Sequence, residues 1–444
     1  MGGFLSRGRA GALVVVAIVA GLLIGHAPAA HALIICDNTT VDCPKASGDV
    51  YTTTINKTLS VAAPGVLAND RGPTGTTVDV EDSDTESANG AIVTVHPNGS
   101  FTYDPDENLP FAGLDSFDYW IQDTDGNFDY TTVYVRVNAA PKNDTYYTPM
   151  NHTLTVAAPG VFTNDLGMSG EVIGYTAKTA HGQVALDDDG GFVYKPTTGF
   201  NGIDHFDYTG LNINEDDFFS ATATIYVDSA PPIVTVKLPG KTALDTKFTV
   251  NWSGTDISGI LNYDVQSETA AYNGDFGNWS NFRTTTTSTS GTFSGSPGHT
   301  YCFRARARDH AGNTSSFTSP VCIAVPLKAS NLNLAGTWTS PSSSAYYGGG
   351  ARISTQFGAT ATRTGTHVER IALVVTKCPG CGTVQVRFNG FPVANLDLNR
   401  SSGVAHKAVM VATTFDSVRT GDVQIVVTSV NKPVTIEGLA IYRD

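Results

Sequence analysis

Two stretches of the 444-residue chain repeat one another at an offset of 95 residues. The first runs Leu59-Ser60-Val61-Ala62-Ala63-Pro64-Gly65-Val66-Leu67-Ala68-Asn69-Asp70, and the second runs Leu154-Thr155-Val156-Ala157-Ala158-Pro159-Gly160-Val161-Phe162-Thr163-Asn164-Asp165. Downstream, Gly99-Ser100-Phe101-Thr102-Tyr103 answers Gly191-Phe192-Val193-Tyr194, and Asp115-Ser116-Phe117-Asp118-Tyr119 answers Asp204-His205-Phe206-Asp207-Tyr208. Each unit closes on an alternating run, Thr132–Val137 and Ala221–Val227. Alternation places Val133, Val135 and Val137 on one face and Thr132, Tyr134 and Arg136 on the other, which is the pattern of a half-buried strand. The Ala-Ala-Pro-Gly and Asn-Asp clusters end strands, and Pro97-Asn98-Gly99 and Asp189-Gly190-Gly191 mark tight hairpin tips. A period this long exceeds that of a solenoid repeat and fits tandem sandwiches, each closing its own core.

The rest of the chain reads as β as well, so the fold class expected is all-β, a series of tandem β-sandwich domains. The segments are a signal peptide over 1–32, repeats over 46–138 and 139–228, and two further modules over 230–326 and 330–444. Arg7 and Arg9 precede an apolar stretch of 15 residues, Gly11 to Gly25, and Ala30-His31-Ala32 offers small residues where a signal peptidase cuts. The expectation is a secreted protein, with cell-surface association open and no membrane span after cleavage; an uncleaved anchor is the alternative. Between Leu33 and Asp228 stand 29 acidic and 7 basic residues, whereas from Ser229 onward there are 12 acidic and 18 basic. An acidic first half disfavours nucleic acid as a partner. Six Cys in an exported chain fall into three local pairs, Cys36 with Cys43, Cys302 with Cys322 and Cys378 with Cys381, and disulfides are the default there. Cys378-Pro379-Gly380-Cys381 lies between β-patterned flanks, where a hairpin disulfide is favoured over the helix-borne thiol chemistry of a redox motif.

The two repeats resemble the bacterial cadherin-like or immunoglobulin-like tandem repeats of surface adhesins, over roughly residues 46–228. The third module pairs Trp252 in an early strand with a late strand, Tyr301 to Arg308, and then Asp309-His310-Ala311-Gly312-Asn313. It resembles fibronectin type III-like domains. Its alternation puts Tyr301, Phe303, Ala305 and Ala307 inward and Cys302 with Arg304, Arg306 and Arg308 on the solvent side, so Cys302–Cys322 would staple neighbouring strands there. The fourth module has short strands at Ile371–Val375, Val384–Phe388 and Val423–Val427, with Asn389-Gly390 and Thr420-Gly421-Asp422 as turns. Its layout resembles a galactose-binding-like jelly roll, which implies carbohydrate as a ligand class.

Candidate binding residues follow from these readings. Aromatic rings stack on sugar faces and polar neighbours bond the hydroxyls. Trp338, Tyr346 and Tyr347, with Arg352 nearby, are the ligand-binding candidates, although Trp338 also suits a core and only one of the two tyrosines need be exposed. Asp123-Thr124-Asp125-Gly126-Asn127 opens like a calcium loop, but Tyr134 occupies the position where an EF-hand needs Glu. Clustered Asp82, Asp84, Asp123 and Asp125 are the metal candidates, with calcium as the candidate cofactor and a solvated turn as the alternative. No G-x-S-x-G, H-E-x-x-H or P-loop motif occurs. The functional expectation is a non-catalytic extracellular binding or scaffold protein whose C-terminal module takes carbohydrate or an anionic envelope polymer. A structural, adhesin-like protein with other surface proteins as partners stands second, and a cryptic glycan-processing enzyme third.

Overall fold

The structure, a computed structural model, describes residues 43–105, 111–214 and 217–443. The segment expected to be a signal peptide, its expected cleavage site and Cys36 lie outside these residues. Every described element is a strand or a single 3₁₀ turn, as the alternating patterns require. One compact unit ends at Asn138 and a second begins at Ala139.

The first unit carries a sandwich of two sheets. Four strands lie in the order Asp49–Thr54, Phe128–Asn138, Gly113–Asp123, Val78–Ser83, and three in the order Leu59–Val61, Phe101–Asp104, Ile92–Val95. The opening strand runs parallel to the closing one, and the other pairs are antiparallel. Inward residues of both sheets (Phe101, Tyr103, Phe117, Tyr119, Ile121, Val133 and Val135) are at most 2% exposed, so the core sits where the alternation placed it. The second unit opens with the same design. Met168–Tyr175, Gly202–Asn212, Phe218–Val227 and Asp144–Thr148 face Gly182–Leu186, Phe192–Pro196 and Leu154–Val156 around Phe192, Tyr194, Phe206, Tyr208 and Ile225.

Two polar anchors recur in both repeats. The first Asp of each Asp-x-Phe-Asp-Tyr motif is buried and fully hydrogen-bonded. Asp115 accepts from the Tyr103 hydroxyl at 2.6 Å and from the Asn89 backbone N–H at 3.0 Å, and Asp204 accepts from the Tyr194 hydroxyl at 2.7 Å. The motif's Tyr closes a tyrosine corner, with the hydroxyl of Tyr119 donating to Val66 O and that of Tyr208 approaching Val161 O, both at 2.9 Å. Buried carboxylates persist only with such partners, since an unpaired one would cost several kcal/mol.

Within the second unit a third sandwich pairs Ile233–Lys237, Lys247–Thr255 and Ser290–Ser294 with Ser280–Thr286, Ile260–Ala271, His299–Asp309 and Val321–Val325. Trp252, Phe303 and Val265 fill its interior. Cys302 and Cys322 are directly opposed on neighbouring strands and bonded. They are not on the solvent side, however; Cys302 is 1% exposed. The end of the sheet expected to face water is covered by the last strand of the chain. Thr300 Oγ1 donates to Ile441 O at 3.0 Å, the hydroxyls of Thr242 and Tyr442 bond, and Ala324 packs with Ala372, Ala440 and Tyr442. Farther along the same face Arg304 and Arg306 are also engaged, whereas Arg308 is exposed. Arg304 lies 4.1 Å above the Trp279 ring and 4.5 Å from that of Phe317, and Arg306 meets Asp264 at 2.9 Å.

The fourth module is one continuous sheet of eight strands, in which Val434–Tyr442, Thr360–Lys377, Ala405–Val427 and Thr383–Phe388 lie side by side. Ile371–Val375 and Val423–Val427, read as separate short strands, belong to strands of 18 and 23 residues. Register shifts near Thr366, Arg370 and Ala372 bend the long strands, as bulges do. Cys378 and Cys381 are bonded across the turn that follows.

Candidate functional site

The strand Val434–Tyr442 is buried at every position, yet it carries Glu437 in its middle at 0% exposure. A charge there survives only if every lone pair finds a donor. Glu437 Oε2 accepts from the Tyr347 backbone N–H at 2.7 Å, and the Lys407 N–H lies 3.1 and 3.2 Å from the two oxygens. Glu437 Oε1 accepts from the Thr376 hydroxyl at 2.6 Å. That hydroxyl is also 2.9 Å from His406 Nδ1. Its single proton goes to the carboxylate, so Thr376 accepts from His406, and Nδ1 carries the ring proton. The Nε2 atom of His406 is then the ring nitrogen left to a ligand. The imidazole is one-third exposed, and Tyr346 stands edge-on to it with ring centroids 5.1 Å apart. Tyr346 and His406 thus form a half-exposed aromatic corner on a rigid hydrogen-bonded base.

Of the four residues expected to bind ligand, only Tyr346 belongs to this corner. Tyr347 is 3% exposed and its hydroxyl donates to Pro326 O at 2.6 Å. Burial, and then the charge of Asp245, push its pKa up. It is a packing residue against Gly438, where a Cβ would come within 2.9 Å of the Tyr347 ring. Trp338 is half-buried against the core, and its indole N–H donates to Ala335 O at 3.2 Å. Arg352 sits on a three-residue strand paired with Ile436, its Nε buried without an acceptor. The sequence reading passed over His406, Thr376 and Glu437. The available signal was the lone acid in Val434-Thr435-Ile436-Glu437-Gly438-Leu439.

The carboxylates Asp82, Asp84, Asp123 and Asp125 do not converge. Asp82 lies opposite Trp120 and Asp123 opposite Val78, four residues apart along the Val78–Ser83 strand. At ~3.3 Å per residue this separates them by ~13 Å. Asp123 instead caps its own turn, accepting from the backbone N–H groups of Asp125 and Asn127 at 2.9 Å and from Asn127 Nδ2 at 3.0 Å. Burial opposes its charge, but these bonds prevail and hold its pKa below the ordinary value. Asp84 accepts from the Asp118 N–H at 2.8 Å. Among the described residues, the group of three carboxylates that could share one ion is Asp228, Asp256 and Asp309, whose ligand atoms lie within 4.8 Å of one another. They join the end of the second repeat to two loops of the third module. Ser258 Oγ is 2.8 Å from both Asp228 and Asp256, and Asn313 donates to Asp309 at 2.7 and 2.9 Å. Burial, then the Asp228 carboxylate, raise the Asp256 pKa. Such a triad can share a proton or supply part of the ~6–8 oxygen shell of a hard divalent cation.

These features define a class: a string of β-sandwich modules in which buried acids serve as structural anchors. Residues 41–139 match the family described as bacterial cadherin-like domain, and residues 138–228 match the bacterial Ig domain. Comparison with curated proteins gave no match. Among solved structures, the CBM36-1 domain of a multidomain xylanase from the hindgut metagenome of Trinervitermes trinervoides aligns with 26% of this chain and 94% of its own, at 13% identity and a TM-score of 0.21. A β-1,3-glucan-binding CBM6 from Bacillus halodurans aligns with 27% of this chain and 94% of its own, at 13% identity and a TM-score of 0.22. The exo-β-1,3-galactanase of Phanerochaete chrysosporium aligns with 74% of this chain and 78% of its own, at 12% identity and a TM-score of 0.22. Likenesses at this level identify neither a ligand nor an activity.

Proposed function

We propose that the chain is a non-catalytic extracellular binding and scaffold protein that presents a carbohydrate-binding corner on its last module. The observation that carries this reading is the Tyr346–His406 pair standing on the buried Glu437–Thr376 base. It combines a half-buried tyrosine ring and an imidazole nitrogen with a support that has no rotational freedom to lose on binding. Disulfides within the third and fourth modules fit an oxidising compartment. The scaffold half of the proposal draws on the joints of the second unit. Tyr226, Tyr147 and His310 stack in series at 5.4 and 4.8 Å, tying the second repeat to the third module, and the Ala324–Ala372–Ala440–Tyr442 seam ties the third module to the fourth. Orienting a terminal binding corner at a fixed distance is what such joints achieve.

The test is binding of the full chain to a panel of neutral and anionic oligosaccharides by calorimetry. The expected result is a saturable interaction with one class, weakened at least ~10-fold by Tyr346→Ala and by His406→Ala, consistent with losing one stacking or hydrogen-bonding group. Absence of binding across the panel, or binding indifferent to both substitutions, would remove the corner from consideration.

A further inference from the structure

The two repeats share a fold, so each is a control for the other. Positions that differ in character while the backbone stays the same are free of the fold's demands. On the outer face of the first repeat's four-stranded sheet, Trp120 is directly opposite Tyr130, their rings stacked at 6.0 Å and 23°. Tyr134 stands on the same face, two rows along. Tyr130 and Tyr134 are 56% and 43% exposed, so neither is held by a core. The equivalent positions in the second repeat are Thr209, opposite Ser220, and Thr224; there the hydroxyls of Thr209 and Ser220 bond at 3.1 Å instead. The sheet therefore forms without aromatic residues at these three places.

Carboxylates flank the rings. Asp82 lies opposite Trp120 and Asp79 opposite Gln122 on the adjoining edge strand, with Glu81 between them, and all three are exposed. None of the ion pairs formed by described residues involves them. Arg136 stands at the opposite end of the face, beside Leu114. From 46 to 138 the sequence holds 15 acidic and 3 basic residues. Aromatic faces beside uncompensated carboxylates attract ammonium and guanidinium groups, by cation–π contact and by ion pairing.

We infer that this face of the first repeat is a docking surface for a basic polypeptide segment, with Trp120, Tyr130 and Tyr134 receiving lysine or arginine side chains and Asp79 and Asp82 neutralising them. Charge selects this occupant: the acidic field repels anionic polymers, and a neutral glycan would gain nothing from it. The surface is independent of the Tyr346–His406 corner and stands or falls without it.

The probe is a fluorescein-labelled peptide of alternating lysine and glycine, titrated with the full chain, beside the same peptide with every lysine acetylated. Saturable binding is expected that weakens at least ~10-fold on acetylation and falls steadily with added salt. The variant W120T/Y130S/Y134T installs the residues with which the sister repeat folds; it should bind at least ~10-fold more weakly with its thermal transition retained. Asp79→Asn with Asp82→Asn should also weaken binding. Asp187→Asn with Asp188→Asn, which removes as much charge from an exposed tip of the second repeat, should leave it unchanged. Equal binding by the triple variant, an equal loss in the Asp187/Asp188 variant, or undiminished binding of the acetylated peptide would each overturn the proposal.

Discussion

Gly190→Ala is expected to unfold the second repeat locally, at a cost of about 3–5 kcal/mol, and Gly99→Ala should do the same in the first. The Ala-Ala-Pro-Gly turn and the hairpin tip of each repeat are clasped backbone to backbone. The N–H of Val161 donates to Gly190 O at 3.0 Å, and the N–H of Val66 donates to Gly99 O at 3.0 Å. A Cβ on Gly190 would lie 2.3 Å from Pro159 O and 2.6 Å from the Phe162 ring; one on Gly99 would lie 2.0 Å from Pro64 O. Both glycines have φ near +80°, where an L-residue loses a further ~1–2 kcal/mol. Neither the turn nor the tip can retreat, because Val161 and Val66 are wholly buried on the other side. Gly174→Ala is the control, since its Cβ meets nothing within 4 Å and no positive φ opposes it; the change should stay within ~0.5 kcal/mol. Amide hydrogen exchange resolved by repeat checks this. The alanine at 190 should abolish protection in Gly182–Leu186 and Phe192–Pro196 while leaving the third module protected. Undisturbed protection at 190 would mean that the clasp yields more easily than its packing indicates.

That clasp also marks where sequence reading stops. The turn at Ala157–Gly160 and the tip at Asp189–Gly191 are each recognisable from their residues, and their repetition at Ala62–Gly65 and Asn98–Gly99 establishes a shared module. Nothing in either segment says that the two touch, because the contact is between backbones 30 residues apart and leaves no side-chain signature. Cys302 shows the same limit in another form. Parity correctly separated it from Tyr301 and Phe303, but parity assigns a face, and whether that face meets water depends on the last strand of another module. Tyr347 left its expected role for the same reason: two adjacent tyrosines in a turn look equivalent until Pro326 and Glu437 capture one of them. Buried acids leave a legible signal in the sequence. Glu437 in an apolar strand and Asp204, on the inward face with Phe206, both announce anchoring, since such positions are otherwise occupied by aliphatic residues.

A second strong effect is expected from pH, and its sign is the reverse of ordinary acid denaturation. In the second repeat Tyr208 Oη lies 2.9 Å from Asp144 Oδ2, Asp165 Oδ2 and Val161 O. One hydroxyl proton cannot serve three acceptors, and a carbonyl carries none, so a carboxyl proton is needed to complete the set. Burial, reinforced by the charge of Asp165 against the opposing hydrogen bonds of Tyr208 and Tyr146, lifts Asp144 from 3.8 to about 7. Asp165 is also raised by burial, although the Lys142 N–H, Tyr208 and the Lys142 charge pull it back. The first repeat duplicates the arrangement around Tyr119. There burial and then the Asp70 charge lift Asp49 to about 6, while burial and Asp129 raise Asp70 against Ser47 and Tyr119. A carboxyl whose folded pKa exceeds its unfolded value binds its proton more tightly when folded. Its stabilisation is complete below about pH 4 and is lost as pH rises to about 7. At about 1.36 kcal/mol per pH unit the ceiling is ~4 kcal/mol for Asp144; partial sharing of one proton with Asp165 brings the expectation to ~2 kcal/mol. The first repeat should respond less, because Asp123, held low by its turn, loses stability as pH falls. Hydrogen exchange of Gly202–Asn212, corrected for intrinsic rates, should therefore show tighter protection at pH 4.5 than at pH 8. Asp144→Asn should flatten that dependence and, at pH 8, exceed wild type in protection by relieving the Asp144–Asp165 repulsion. Greater wild-type protection at pH 8, or an unchanged slope in the Asn variant, would show that both carboxyls are ionised at neutral pH and that the Tyr208 cluster holds no proton.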